Sequence, residues 1–323
     1  MTSTLVVARK ELLDLRRNRF MALLLGFILV AVTLSVIVGA AQFRVKLDEF
    51  HQYVAALKAS GSTVTAAAPQ LFPLQLLRGS IEYIELIGAL FAIVVGYGMV
   101  AKEKQRATIE LLFSRPVSRY SVAGGKLLAL AVTWLVAVVV VFAAVIGVLL
   151  VVGRAPLQPV DAGRLLIAAT VAWAYLLLWS SVAMALASTS TRLSTGLIAV
   201  LVLWLVVVLI VPQIGDTMDP DNQVPGGLFT SLQIAKPDEQ AVLAHFAGYD
   251  TVRNGLEVTS VTKHYERLSF ALLGIKDTFN QLPIATVARQ TLTYSLSLVL
   301  ASAAAVVLAL VTTTRKRLLR RTS

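Results

Sequence analysis

Apolar residues do not alternate with polar ones along this chain; they come in long blocks. Phe20 to Ala41 holds no charged residue. Further apolar blocks cover about 81–101, 127–152, 165–191, 193–212 and 290–314, with the first at 20–41. A helix needs roughly 20 apolar residues to cross a hydrocarbon core of about 30 Å, and every block is long enough. In lipid a spanning segment must satisfy its own peptide groups, which selects helices. Two long polar segments, 42–80 and 213–287, separate the blocks and carry most of the prolines. Inside the second, Asp238 to Phe246 and Val258 to Leu273 read as helices. The expected fold class is all-α: a polytopic membrane protein with six transmembrane helices, residues 1–323 forming one transmembrane domain.

Composition agrees. Apolar residues make up 57% of the chain and charged residues 15%, against roughly a quarter charged in ordinary globular domains. With no cysteine the chain has no disulfide, thiolate nucleophile or Cys-based metal site. Phe20 to Ala41 exceeds the roughly 7–15 apolar residues of a cleavable signal peptide, although Gly39-Ala40-Ala41 supplies small residues at its end. Ahead of it, Arg9, Lys10, Arg16, Arg17 and Arg19 surround Leu5, Ala8, Leu12 and Leu15 at helical spacing. That pattern predicts a basic amphipathic helix on the membrane surface, with Lys10, Glu11, Arg16 and Arg17 facing the headgroups and membrane lipid as its partner.

The net charge of +11 first suggests nucleic acid. Placement gives another answer. Six spans put both termini, the 102–126 connection and the Arg192 turn on one side. Most of the 29 Lys and Arg fall there, with only Glu11, Asp14, Glu103 and Glu110 as acids. Most of the 18 acidic residues fall on the other side. Positive residues stay in the cytoplasm, so both termini are expected there and 42–80 and 213–287 outside. The charge is a topology signal, and no nucleic-acid partner is expected.

Catalytic chemistry is thin. His51, His245 and His264 are scattered, no HExxH pair exists, and no metal site is expected. Gly124-Gly125-Lys126 is followed by Leu127 and lacks the remaining glycine of a phosphate-binding loop. Glu82 and Glu85 share a face at the outer mouth of the second span and are a candidate polar site. Arg78, one turn earlier, offers the plainer reading of an ion pair with Glu82. Ser180, Ser181 and Ser188 to Thr191 could line a conduit, but hydroxyls in membrane helices more often bond their own backbone. Gly88, Ala92 and Gly96, at every fourth position, predict a helix-packing seam. No charge is expected inside the spans, so an energy source must come from outside the chain.

The most charged connection between two spans, EKQRATIELLFSRPVSRYSVAGGK from Glu103 to Lys126, is the most informative stretch. Ile109, Leu112 and Phe113 share one helical face, Glu103, Ala107 and Glu110 another, and Pro116 ends the helix. The order Glu103, Thr108, Leu111-Leu112, Pro116-Val117-Ser118-Arg119, Gly125-Lys126 resembles the permease subunits of ABC-2-type ABC transporters. The start, Lys10-Glu11-Leu12 with Arg17-Asn18-Arg19-Phe20, is similar to the interfacial helix of that family. Ala107 stands where the family usually has glycine before the threonine.

The resemblance implies that this chain is no enzyme and binds no cofactor. Two copies of a separate ATPase subunit would carry ATP and Mg, and a second permease copy would complete the unit. It implies a cytoplasmic coupling helix docking on the ATPase through Glu103, Arg106, Thr108, Ile109, Glu110, Leu111, Leu112, Phe113, Pro116 and Arg119. The expected function is ATP-driven export across the cell (inner) membrane. The long outer segments are similar to those of permeases from nitrous-oxide-reductase maturation and gliding systems. That likeness implies the alternative of relaying force to an extracytoplasmic protein at 42–80 and 213–287. A lipid-modifying membrane enzyme is a further alternative, for which only Glu82 and Glu85 offer paired carboxylates.

Overall fold

The computed structural model describes residues 3–60, 72–106, 120–153, 157–218, 231–232, 234, 236–245, 247–280 and 282–318. The protein is an all-α polytopic membrane protein, 92% helical and without strands among the described residues. Helix α1 (Ser3–Arg17) leads into α2 (Arg19–Ala59). Then come α3 (Pro73–Gln105), α4 (Ser121–Val151), α5 (Pro159–Thr189) and α6 (Leu193–Thr217). Short helices α7 (Lys236–His245), α8 (Ala247–Thr259), α9 (Val261–Leu272), α10 (Asp277–Asn280) and α11 (Ile284–Gln290) follow. The chain closes with α12 (Leu292–Thr312) and α13 (Arg315–Leu318). Helices α2 to α6 and α12 are the six long and apolar enough to cross a membrane.

Several limits differ from the hydropathy reading. Residues 42–59 continue α2 as helix, because the sequence has no proline or glycine between Gly39 and Gly61 to stop it. Helix α3 begins earlier than expected, in a tight turn at Pro73–Leu77, and includes a wide π turn at Ile84–Gly88. Helix α5 also starts early. Pro159 takes its first position, where a missing N–H costs nothing, and the Gln158 N–H donates to Asp161 Oδ2 at 2.9 Å. Helix α6 passes through Pro212 to Thr217. The π turn Leu205–Ile210 precedes the proline and accommodates the hydrogen bond that its ring cannot make.

Helix α5 is the hub, packed by α3, α4, α6, α9 and α12. The predicted seam is real. A Cβ on Gly96 would lie 2.0 Å from the Ser180 carbonyl oxygen, so only glycine lets α3 approach α5 this closely. Sixty-one per cent of the most apolar window of α3 is buried, against 22% in α2 and 17% in α6. Helices α3 and α5 are therefore the core, and α2 and α6 its rim.

The segment after α6 is not simply a polar loop. Helix α9 packs against α5, α12 and the start of α3, and buries Tyr265, Leu268, Phe270 and Leu272. Tyr265 stacks on Tyr175 of α5, with ring centroids 4.3 Å apart. Gly274 ends the helix at φ +64°, and the Ile275 N–H reaches back to the Phe270 carbonyl at 2.9 Å. Arg164, at the far end of α5, donates to the carbonyls of Leu272, Phe279 and Leu282 at 2.5–3.4 Å. This guanidinium fastens the segment that follows α9 to the spans.

Candidate functional site

The end of α3, the start of α4 and α1 meet in a cluster of buried charge. Lys126 Nζ lies 2.7 Å from Glu11 Oε1 and 2.9 Å from Glu103 Oε2, and it donates to the Met99 carbonyl at 2.8 Å. Lys102 donates to the other oxygen of Glu11 at 2.8 Å and faces Asp14 at 3.4 Å. Lys10 closes the ring with Glu103 at 2.9 Å. The side chains of Lys126 and Glu11 are wholly inaccessible to solvent. Removing an ion from water costs several kcal/mol, so such a pair persists only when geometry and hydrogen bonds compensate. Here three lysines face three acids.

Local sequence builds this arrangement. In α1, Val7, Ala8 and Glu11 recur at helical spacing and form its buried side. That side rests on Gly124-Gly125. A Cβ on Gly125 would lie 2.6 Å from Val7 Cβ and 2.8 Å from the Thr4 carbonyl, so the bare glycine admits α1 and the next residue meets Glu11. Burial alone would raise the Glu11 pKa. Lys126, together with Lys102, overrides that and brings it down to about 2. Lys10 loses solvation, but Glu103 more than compensates and raises its pKa. Next to the cluster, Lys104 Nζ donates to the carbonyls of Ala187, Ser188 and Ser190 at 2.9–3.2 Å. A cation there satisfies the free carbonyls at the end of α5. Ser188 also bonds Thr313 at 2.9 Å, so the end of α12 joins the same face.

Of the sequence candidates, Glu103, Lys10 and Glu11 come together in this cluster. Arg16 and Arg17 lie on the exposed side of α1 and take no part in it. Thr108, Ile109, Glu110, Leu111, Leu112, Phe113, Pro116 and Arg119 lie outside the described residues, as does the side chain of Arg106. The cluster sits where the chain enters and leaves that segment. Lys102, Lys104 and Lys126 were legible only as loop cations. Their signal was three charges beside the apolar ends of two spans, which can be buried only if they find partners.

At the other face, Glu82 and Glu85 differ in burial and in partners. Glu82 is half-buried and pairs with Arg78 at 3.0 Å, the plainer expectation. Glu85 is 6% exposed, inside the π turn, and its backbone carbonyl accepts from the Tyr175 hydroxyl at 3.0 Å. The expectation of charge-free spans is therefore corrected: Glu85, Lys104 and Arg164 are buried within spanning helices. The π turn and α9 explain Glu85, since they cover a carboxyl that a regular helix followed by a polar loop would leave at the surface. Thr189 and Ser190 donate to carbonyls of their own helix and Ser188 to the Met184 carbonyl, the plainer expectation for these hydroxyls. Among the described residues no group of three or more metal-ligating side chains occurs.

Six apolar helices around a small-residue seam, with a charged clamp across one face, define a multi-pass membrane protein. The chain belongs to the ABC-2 family: the family model described as ABC-2 family transporter protein matches residues 5–318. The match covers all six spans and the clamp, and is consistent with a permease component. Permeases of this family generally work with an ATPase subunit. No curated protein matches the chain.

Proposed function

We propose that this chain is the membrane-spanning permease subunit of an ATP-driven ABC transporter. A separate ATPase subunit docks on residues 107–119, and ATP hydrolysis there drives export of a substrate across the cell membrane. Two permeases, identical or related, act with two ATPases; ATP and Mg stay on the ATPases, and this chain is no enzyme. The charge asymmetry supports cytoplasmic termini. One observation carries the reading: both ends of the 107–119 segment are tied to one buried ion cluster. Motion of a docked segment reaches α3 and α4 directly, α1 through Glu11, and α5 through Lys104. A two-state rocking of packed helices needs such simultaneous engagement.

The test uses Leu111→Glu and Leu112→Glu, which place charge on the expected docking face. Purified complexes of these variants are expected to lose the ATPase subunit or transport-stimulated ATP hydrolysis. Unchanged stimulation with the subunit retained would overturn the reading.

The second reading, force relay to an extracytoplasmic partner, is favoured by one observation. Helix α2 continues as a regular helix to Ala59, past the limit of its apolar block. Capture of an outer protein that depends on 213–287 supports relay. Loss of efflux on deleting those residues, with no partner captured, supports export.

A further inference from the structure

Glu85 is the buried acid that neither the clamp nor the Arg164 tether uses. Its side chain, in the π turn of spanning helix α3, makes no hydrogen bond or ion pair among the described residues. Helix α9 covers it. The Tyr175 hydroxyl links the two, donating to the Glu85 carbonyl at 3.0 Å and lying 3.3 Å from Thr262 Oγ1 in the first turn of α9. Thr262, Tyr265, Glu266 and Ser269 recur at helical spacing, so Glu266 turns to the same side as Thr262. On that side the Tyr265 hydroxyl, wholly buried, has no hydrogen-bond partner among the described residues.

The cations nearby are committed to other acids. Lys263 Nζ lies 2.7 Å from Glu266 and 3.3 Å from Asp216 of α6, while Arg267 joins Glu257 and Arg78 joins Glu82. The charges that act most on Glu85 are Glu266, Lys263, Glu82 and Asp216, three acids to one amine. Helix α2, which also touches the π turn, carries no charge from Phe20 to Ala41. Burial alone would lower the Lys263 pKa; Glu266 and Asp216 override that and raise it, so the amine stays charged and paired. Burial pushes the Tyr265 pKa well above the ordinary 10, so that hydroxyl stays neutral. A buried carboxylate that faces another and has no cation of its own is strongly disfavoured in its charged form. We infer that Glu85 is a proton-binding site, neutral while α9 is docked on α3 and α5, and that it releases its proton when α9 lifts and water reaches the carboxyl. A proton needs no cavity, which suits a carboxyl covered by the wholly buried Tyr175 and Tyr265. Docking of α9 and protonation of Glu85 are then one equilibrium. Acid favours the docked form, and rising pH favours the open form by up to about tenfold per pH unit for one proton. His264 would act with the opposite sign. Its Nδ1 lies 2.6 Å from Ser297 Oγ of α12, and burial lowers its pKa from the ordinary 6.5, so a charge gained in acid would loosen α9.

The test uses the full-length chain in phosphatidylcholine nanodiscs and needs no ATPase, so its outcome is separable from that of the transport reading. Infrared difference spectra between wild type and Glu85→Gln at about pH 7 should show the carbonyl stretch of one protonated carboxylic acid, shifted in heavy water. Amide hydrogen exchange of residues 261–272, corrected for the intrinsic rate at each pH, follows docking. In wild type it should accelerate by up to about tenfold per pH unit somewhere between about pH 6 and 9. In Glu85→Gln, which keeps the shape of the neutral acid, it should stay level, and His264→Gln should keep the wild-type slope. Should Glu85→Gln fail to fold, wild type alone answers: an acid band that fades over the pH range in which exchange accelerates supports the site. A neutral-pH spectrum without that band, exchange in α9 that is level or faster in acid, or a slope that survives Glu85→Gln would each overturn it.

Discussion

Both faces of this membrane domain bury charge, but by different means. At the face bearing the termini, each contact of the clamp except Lys10–Glu11 joins different helices: Lys10 to Glu103, Lys102 to Glu11, Lys126 to Glu11 and Glu103. At the opposite face, Arg78–Glu82, Arg253–Glu257 and Lys263–Glu266 are neighbours on one helix. There Lys263–Asp216 and Arg267–Glu257 join helices, and stacked tyrosines and one arginine gripping carbonyls add to the long-range hold. Pairs within a helix stiffen that helix, whereas pairs between helices fix their relative positions. The first face ties α1, α3 and α4 through one shared cluster, whereas the second is fastened by separate contacts.

Substitutions rank the two faces. Lys126→Met leaves Glu11 and Glu103 buried with fewer partners and should cost about 3–5 kcal/mol, read as a lowered thermal midpoint of the purified chain. A smaller loss, on the order of 1–3 kcal/mol, is expected for Arg164→Met, which strands the carbonyls of Leu272, Phe279 and Leu282. Faster proteolysis within 274–282 would show that this tether has gone. If Arg164→Met proved as costly as Lys126→Met, the contrast between the faces would fail.

Acidity gives a finer comparison. The Glu11 pKa is lowered from the ordinary 4.5 to about 2, so its stabilising effect is complete above 4.5 and is lost only as pH falls toward 2. The difference in thermal midpoint between wild type and Glu11→Gln should be constant from about pH 7 to 5 and narrow below about 4.5. A difference already shrinking at pH 6 would contradict the paired geometry. The least effect belongs to Arg78→Ala. Its exposed pair with Glu82 is worth about 0.5 kcal/mol or less, within the scatter of a midpoint measurement.

Much of this was legible in the sequence. Six apolar blocks gave six spans, because burying a peptide backbone in lipid leaves few alternatives. Gly88, Ala92 and Gly96 marked the seam, since small residues at helical spacing have one common use in lipid. Hydropathy did not reveal where α2 stops. The end of an apolar block marks the end of the lipid core, but a helix ends only where its backbone is interrupted. Nor did it reveal that α9 is buried. Tyr265, Leu268 and Leu272 lie at helical spacing on one face, but Lys263, Glu266 and Arg267 between them keep the average low. The lysine partners were beyond reach for another reason: Glu11 and Lys126 meet only once α1 has settled on Gly125.

The length of α2 has a mechanical consequence. Its 41 residues make a rod of about 60 Å, roughly twice the hydrocarbon thickness. Its base joins α1 at Asn18, the single residue between the two helices, whose side chain accepts the Phe20 N–H at 3.0 Å. A tilt of about 10° at that joint sweeps the far tip through about 10 Å, by the geometry of a straight helix. Small rotations beside the clamp therefore become displacements of molecular size at Ala59, without any change in the helix itself.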